Sequence, residues 1–184
     1  MDGVVRTRVG YAGGTKKSPA YHSLGDHTET IQIDFDPEKI TYEKLLNIFW
    51  ASHDPTSRPW SRQYKAVIFH HDEEQRNLAV ATKDRLEEKL GARIHTEILP
   101  YPEFYQAEPY HQKYRVRSVR DIMAEFSSMY PLDDDFVNST AAARVNGYVG
   151  GYGSLEMVKS EIGELGLSPD ASRRLLEIVA ARRR

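Results

Sequence analysis

Alternating apolar and polar residues near the start of the chain predict two β-strands. The segments Val4–Gly10 and Thr30–Asp36 place apolar side chains at alternate positions. Because successive side chains on a strand point to opposite faces, each segment has one apolar face, as in a half-buried strand. The second strand should end at Pro37, which has no amide N–H to donate to a neighbouring strand. The apolar positions are Val5, Val9, Ile31, Ile33 and Phe35.

Two helices are predicted in the middle of the chain. Thr41 is a suitable N-cap for a helix that runs to about Ala51. Asp72 and Gln75 resemble a capping box at the start of a second helix. That helix should end at Gly91, because glycine readily adopts the left-handed conformation found at many helix ends.

Two further strands alternate with these helices. Tyr64–His70 contains a nearly continuous apolar run, which is typical of a strand covered on both faces. Arg93–Leu99 alternates apolar and polar residues and should stop at Pro100. The order strand, strand, helix, strand, helix, strand favours an α+β fold with two layers.

The chain beyond Pro102 is mostly polar and helical in pattern. Ser118–Tyr130 has a helical apolar face. Pro131–Ser139, which holds three successive aspartates, predicts an acidic loop. Arg144–Gly151 partly echoes Arg8–Gly14, and we interpret the echo as coincidental glycine-rich turn chemistry rather than an internal repeat.

The end of the chain predicts two more helices. Leu155–Leu165 has helical spacing, and Pro169 suits the first position of the helix that follows. Arg182–Arg184 should end that helix, where cations interact favourably with the macrodipole. We therefore expect residues 1–130 to form the main domain and residues 131–184 to form a helical C-terminal extension.

Composition limits the possible functions. Of the 184 residues, 40% are hydrophobic and 28% are charged, and the net charge of −2 gives no support to a role with nucleic acid or an anionic membrane. No apolar run approaches the roughly 18 residues needed to span a bilayer, and no signal peptide is visible, so we expect a cytoplasmic protein. The absence of cysteine excludes disulfides, thiolate zinc sites and a cysteine nucleophile within these residues. The histidines show no metal-ligand spacing, so we expect no metal.

The segment between the first two strands is the candidate functional loop. Gly10–Glu29 contains a Gly13-Gly14 pair and Pro19, which favour an ordered loop over a helix. Ordered loops of this length are usually functional. From the residues alone, Glu29 is either a surface carboxylate or a carboxyl held rigidly and partly desolvated at the start of a strand. The polar groups suited to a site are Tyr21, His22, His27 and Glu29.

Several collinear motifs resemble the methionine sulfoxide reductase A family. GYAGGT, SPAY and GDHTE occur in order within residues 10–29. They are followed by FWASHDP (Phe49–Pro55), SRQYKAVIF (Ser61–Phe69) and FYQAEPYHQKY (Phe104–Tyr114). The resemblance covers roughly residues 3–115. Separate motifs that agree in order are far more specific than any one of them.

The resemblance implies a peptide-methionine (S)-S-oxide reductase, which reduces the S-epimer of free or protein-bound methionine sulfoxide to methionine. Glu29 matches the family's acid residue, and Tyr21 and Tyr64 match the two tyrosines that contact the sulfoxide oxygen. Glu108 and His111 match a motif that we interpret as scaffolding of the substrate pocket. The implied reductant is an external thiol such as thioredoxin, with no cofactor. For each tyrosine, the alternative is an amphipathic core residue with its hydroxyl at the surface.

The chain departs from the family in its nucleophile. The family places a Gly-Cys-Phe-Trp segment before the GYAGG loop, whereas this chain starts at Met1 and has no cysteine. With one strand and one helix added in front, the element order becomes that of a ferredoxin-like unit. We therefore interpret the fold as a two-layer ferredoxin-like sandwich that lacks its opening strand and helix. A truncated gene, a misplaced start, or a selenocysteine codon read as a stop would each explain the difference.

Two further departures concern the site. The family has an aspartate before the tyrosine at position 64, but Arg58–Gln63 contains none, so we assign no such residue. A resolving cysteine is also absent, so a sulfenic acid would have to be reduced directly by the external thiol. The alternative function is a non-catalytic module that binds methionine sulfoxide or a protein partner.

Overall fold

Strands and helices are mixed in the structure, a computed structural model that describes residues 1–181. This part of the chain contains five strands and eight α-helices, so the prediction that the fold combines both is confirmed. The predicted helix end at Arg182–Arg184 lies outside the described residues. The strands are β1 (Val4–Ala12), β2 (Thr28–Phe35), β3 (Val67–His70), β4 (Glu97–Pro100) and β5 (Phe104–Gln106). The helices are α1 (Tyr42–Ala51), α2 (Glu73–Leu90), α3 (Tyr114–Arg117), α4 (Arg120–Met129), α5 (Asp133–Asn138), α6 (Thr140–Val149), α7 (Leu155–Glu161) and α8 (Pro169–Ala181).

The strands form two small sheets. One has the order β2-β1-β5, and β5 runs antiparallel to β1 with Tyr105 opposite Tyr11. The other pairs β3 with β4 in parallel, with Ile68 opposite Ile98. Parallel neighbours need a crossover connection, which α2 supplies. Gly10 permits the close approach of β5, because a Cβ at this position would lie 2.3 Å from the Tyr105 carbonyl oxygen.

Two strand predictions need correction, and one strand was not predicted. The predicted third strand began at Tyr64, but this residue lies in a short 3-10 helix, Arg62–Tyr64. The predicted fourth strand began at Arg93, but β4 begins later, although Ile94 and Thr96 before it are buried. The alternation there marks side-chain burial rather than pairing with a neighbouring strand. The strand that was not predicted is β5, which at three residues is too short to show a period in the sequence.

The chain divides into two compact units, which we describe separately. The second unit consists of Gly10–Thr30 and Asp36–Ala107. In it, α1 and α2 pack together and cover β3, and the Trp50 indole N–H donates to the buried Thr82 hydroxyl at 3.1 Å. Its core contains Leu46, Trp50, Ile68, Ala79 and Ile94.

The ends of both helices in this unit agree with the sequence. The Thr41 hydroxyl accepts the Lys44 amide N–H, and the Asp72 carboxylate accepts the Gln75 amide N–H. Gly91 follows α2 with a φ of 60°, the left-handed conformation that this residue was expected to supply. These caps satisfy backbone groups that would otherwise lack partners inside the helix.

The first unit consists of Met1–Val9, Ile31–Phe35 and the chain from Glu108 onward. Its helices surround a core in which the aromatic rings of Phe126 and Phe136 lie 5.6 Å apart. None of the helices in residues 1–181 combines the length and apolarity that crossing a membrane requires. Fully buried members of this core include Val116, Ile122, Phe126, Val137, Val145, Val158 and Leu175.

Two predictions of irregular structure in this unit are wrong. The predicted acidic loop contains α5, whose first turn holds three aspartates beside the positive end of the helix dipole. Phe136 and Val137 of α5 are buried, so packing also stabilises the helix. The predicted glycine-rich turn lies largely in α6, where Ser139 caps the first turn and Gly147 is helical. Burial of one face of α6 outweighs the low helix propensity of glycine.

Candidate active site

The loop between β1 and β2 is closed on itself by Asp26. Its carboxylate accepts the Thr15 amide N–H at 2.8 and 2.9 Å, the Thr15 hydroxyl at 3.0 Å and the Lys16 amide N–H at 3.3 Å. The backbone hydrogen bond from Thr15 is the main reason that the pKa of Asp26 is lowered to about 2. The ionised carboxylate thus holds Asp26, near the end of the loop, against Thr15 and Lys16 near its beginning.

Buried His27 joins the same two parts of the loop. Its Nδ1 accepts the Gly14 amide N–H at 3.2 Å, and its Nε2 lies 2.7 Å from the Lys16 carbonyl oxygen. Because one nitrogen accepts, the other must carry the proton and donate, which assigns the neutral Nε2–H tautomer. Gly14 is required for this packing, since a Cβ there would lie 2.5 Å from the imidazole. The structure therefore uses His27 to order the loop.

Removing the Asp26 carboxylate should loosen this loop. In Asp26→Ala, the amide hydrogens of Thr15 and Lys16 should exchange with solvent faster, because both lose their acceptor. Asp54→Ala is the matched control, since Asp54 closes a different turn through Thr56 and Ser57. Residue-resolved exchange rates that stay unchanged in Asp26→Ala would contradict this role for the carboxylate.

Glu29 is joined to the short helix that ends at Tyr64. The Gln63 side-chain amide donates to the Glu29 carboxylate, with 2.6 Å between Nε2 and Oε1. The adjacent Thr28 hydroxyl, which is buried, donates to the Arg62 carbonyl oxygen at 3.0 Å. Two hydrogen bonds thus fix Arg62–Tyr64 on the start of β2. Glu29 itself is exposed, so the partial desolvation expected for its carboxyl is absent.

The two candidate tyrosines are both accessible to solvent. Tyr64 is 44% exposed, and its ring lies 4.8 Å from that of Trp60. Tyr21 lies in a tight turn closed by the Ala20–Ser23 bridge, with its ring edge-on to His22. A phenol hydroxyl can donate a hydrogen bond to a ligand oxygen, and that of Tyr64 lies on an exposed side chain.

Glu108 and His111, the predicted scaffold residues, lie in the first unit. Glu108 precedes the short 3-10 helix Pro109–His111 and His111 is its last residue. Their side chains approach to 4.0 Å, which is an ion pair only if the imidazole is protonated. Both are half-buried. The structure thus joins Glu29 to Gln63, the residue before Tyr64, within the second unit, and brings Glu108 and His111 near each other within the first unit.

Sequence reasoning missed three polar residues with clear structural roles. Gln63 fixes Glu29, as described above. Buried Gln112 exchanges two hydrogen bonds with the backbone of Val9, at 3.0 and 2.7 Å, and buried Lys113 donates to the Thr7 carbonyl oxygen at 2.6 Å. The sequence could have pointed to these residues through their positions in the motifs, because Gln63 precedes Tyr64 and Gln112-Lys113 follow His111.

Neither a metal-binding cluster nor the groove beside α2 connects with the candidate residues in the described part of the chain. Within residues 1–181, no group of three or more histidine, aspartate or glutamate residues is arranged to hold a metal ion. A groove of about 510 Å³ runs between α2 and residues 93–99, but none of the candidate residues lines it.

Two family models match the chain. One, described as peptide methionine sulfoxide reductase, matches residues 1–143. The other, described as the helical domain of selenoprotein methionine sulfoxide reductase A, matches residues 132–180. The chain therefore belongs to the peptide methionine sulfoxide reductase family.

Individual relatives agree with this placement. The chain is 41% identical over 169 residues to peptide methionine sulfoxide reductase of Drosophila melanogaster, covering 91% of this chain and 68% of that protein. It is 38% identical to peptide methionine sulfoxide reductase A5 of Oryza sativa subsp. japonica, covering 80% of this chain but only 60% of the relative. Among solved structures, reduced Mxr1 of Saccharomyces cerevisiae matches with a TM-score of 0.60 at 31% identity, covering 65% of this chain and 74% of that one.

A second solved structure and the composition complete the comparison. Methionine sulfoxide reductase A of Corynebacterium diphtheriae matches with a TM-score of 0.55 at 30% identity, covering 64% of this chain and 65% of that one.

The 184 residues contain no cysteine, so they include no thiol that could attack a sulfoxide. The family is thus shown, while the nucleophile that its chemistry needs is not among these residues.

Proposed function

We propose that these residues form the substrate-binding part of a peptide-methionine (S)-S-oxide reductase. Glu29 donates a proton to the departing sulfoxide oxygen, and Tyr21 and Tyr64 hydrogen-bond that oxygen. Glu108 and His111 support the substrate pocket. The observation that carries the proposal is the hydrogen bond from Gln63, which joins the Glu29 carboxylate to the residue just before Tyr64.

The proposed chemistry assigns the missing step to a group outside the 184 residues. A thiolate or selenolate attacks the sulfoxide sulfur, and the oxygen is transferred to it as the proton from Glu29 arrives. The products are methionine and a sulfenic or selenenic acid, which an external thiol such as thioredoxin reduces. The match to a helical domain of a selenoprotein favours selenium as the attacking atom.

Four further expectations accompany this proposal. The ferredoxin-like description of the fold is supported by the β3-α2-β4 crossover and by similarity to the two solved reductases. Residues 1–130 are proposed as a methionine sulfoxide reductase A-like domain and residues 131–184 as a helical C-terminal extension. A cytoplasmic location, and a reaction that needs no bound cofactor, are likewise proposed from the composition and the family.

Binding without turnover is the expected behaviour of the 184-residue chain. Calorimetric titration should detect the S-epimer of N-acetylmethionine sulfoxide amide and a weaker response to the R-epimer. Tyr21→Phe and Tyr64→Phe should each weaken binding by about two- to tenfold, the effect of one hydrogen bond. Reduction with dithiothreitol should stay at background, because no thiolate is present.

Tyr101→Phe is the matched control for these variants, because its exposed ring stacks on His71 and neither residue is a candidate site residue. Equal affinity for the two epimers, with no loss in either candidate variant, would argue against the proposed site. Turnover above background would show that the nucleophile has been wrongly assigned to residues outside this chain.

A further inference from the structure

The segment just before Tyr64 presents an unusual surface. We call Arg58–Arg62, with the sequence Arg-Pro-Trp-Ser-Arg, the RPWSR arm. Arg58, Pro59, Trp60 and Arg62 are all exposed, and the Trp60 side chain is 83% exposed. A large indole left in solvent is costly unless it contacts something, because apolar surface is favourable to bury.

The arm is held beside the proposed active site. The Thr28 hydroxyl binds the carbonyl oxygen of Arg62, the last residue of the arm. The next residue, Gln63, binds the Glu29 carboxylate. The position of the arm is therefore fixed relative to the proposed acid, although its side chains point into solvent.

The aromatic part of the arm adjoins a predicted catalytic residue. The Trp60 and Tyr64 rings lie 4.8 Å apart with their planes tilted by 33°. Together they form an exposed apolar wall next to the phenol that is proposed to bind the sulfoxide oxygen. Such a wall suits the aliphatic part of a polypeptide that extends beyond the methionine sulfoxide side chain.

The RPWSR arm carries positive charge on Arg58 and Arg62. Among the described residues, neither Arg58 nor Arg62 forms an ion pair, and Glu29, the adjacent carboxylate, is bound by Gln63. The arm thus carries two uncompensated positive charges in a chain whose net charge is −2. An extended nucleic-acid surface would need more cations than two, so short acidic ligands are the better complement.

We propose that the RPWSR arm selects methionine sulfoxide in polypeptide segments with acidic residues beside the oxidised methionine. This inference rests on the proposed function and specifies its substrate class. Arg58 and Arg62 contact aspartate or glutamate side chains of the substrate, and Trp60 packs against its aliphatic parts. Free methionine sulfoxide reaches Tyr64 and Glu29 but gains nothing from the arm.

Five ligands test the inference on the 184-residue chain. They are a seven-residue peptide with methionine sulfoxide between aspartates, the same peptide with unoxidised methionine, a lysine-flanked sulfoxide peptide, free methionine sulfoxide, and a single-stranded oligonucleotide with the charge of the aspartate-flanked peptide. The aspartate-flanked sulfoxide peptide should bind about 2- to 20-fold more tightly than the lysine-flanked one, the sum of two exposed ion pairs. This preference should shrink as salt rises, because screening weakens exposed charges.

Three variants separate the contributions of the arm. The double variant Arg58→Gln, Arg62→Gln should abolish the preference for acidic flanks while leaving free methionine sulfoxide unaffected. Trp60→Ala should weaken both peptides by a similar factor, because the aromatic wall does not distinguish charge. Arg93→Gln, which removes an exposed arginine elsewhere in the same unit, is the matched control and should retain the preference.

The outcomes distinguish this inference from the proposed function. Equal affinity for the two flanking charges, or the same loss in Arg93→Gln, would overturn it. If acidic peptides bind equally well with and without the sulfoxide, and only the arm variants weaken them, the arm is supported and the sulfoxide site is not. If a single-stranded oligonucleotide of equal charge binds more tightly than the acidic peptide, the arm contacts nucleic acid and the inference fails.

Discussion

Phe126→Ala should lower the free energy of unfolding by about 3–5 kcal/mol, the usual cost of emptying a fully buried phenylalanine site. The Phe126 side chain is 0% exposed and lies at the centre of the first unit, with its ring 5.6 Å from Phe136 and 6.1 Å from Tyr130. The loss combines transfer of apolar surface with a cavity that rigid neighbouring helices do not fill. Urea titration followed by far-ultraviolet circular dichroism measures it.

Met129 supplies the matched control, because it lies on the same helix, α4, but is 37% exposed. Met129→Ala should cost less than about 1 kcal/mol, since surface substitutions rarely do more. Comparable losses in the two variants would mean that the core of this unit does not depend on Phe126.

Lys113 should make stability increase with pH in the alkaline range. Burial, with a smaller contribution from Arg8, lowers the pKa of Lys113 from 10.5 to about 8. Between these values the unfolded chain binds a proton at Lys113 and the folded chain does not, so the free energy of unfolding rises as pH increases from about 8 to 10.5. The gain is about 3 kcal/mol when each unit of pKa contributes about 1.4 kcal/mol.

The measurement compares the wild type with Lys113→Met, which keeps the side-chain length and removes the titrating group. The stability difference, wild type minus variant, should increase by about 3 kcal/mol from pH 7 to pH 11. Lys89→Met, at an exposed position of α2, should show no comparable change. A pH-independent difference for Lys113→Met would show that the ammonium group is solvated in the folded protein.

Local signals in the sequence predicted local structure well. The Thr41 and Asp72 caps and the Gly91 helix end are found where the residue types placed them, because each depends on neighbours within four positions. The short strand β5 and the helix α5 were missed because their stability comes from pairing with β1 and from burial of Phe136. Neither partner can be read from a short window of sequence.

In the candidate site, too, the sequence indicated individual residues but not the contacts between distant segments. The motifs identified Glu29 and Tyr64 through a family resemblance, but the hydrogen bond that joins Glu29 to this segment comes from Gln63, which is 34 positions from Glu29 along the chain. The exposure of Glu29 was also unpredictable, because alternation along β2 does not reveal which segment covers its first residues. The roles of Tyr21 and Tyr64 remain predictions that the binding experiments above address, and the roles of Glu29, Glu108 and His111 remain predictions.

The side chains of Gln112 and Lys113 have a consequence for self-association. The amide of Gln112 occupies both the N–H and the C=O of Val9, and the ammonium of Lys113 occupies the carbonyl of Thr7. A strand whose polar backbone groups are taken by side chains offers no template for a strand from another molecule. We therefore expect these two side chains to limit pairing of another chain with Thr7 and Val9, and their loss would expose three backbone hydrogen-bonding groups there even in a chain that still folds.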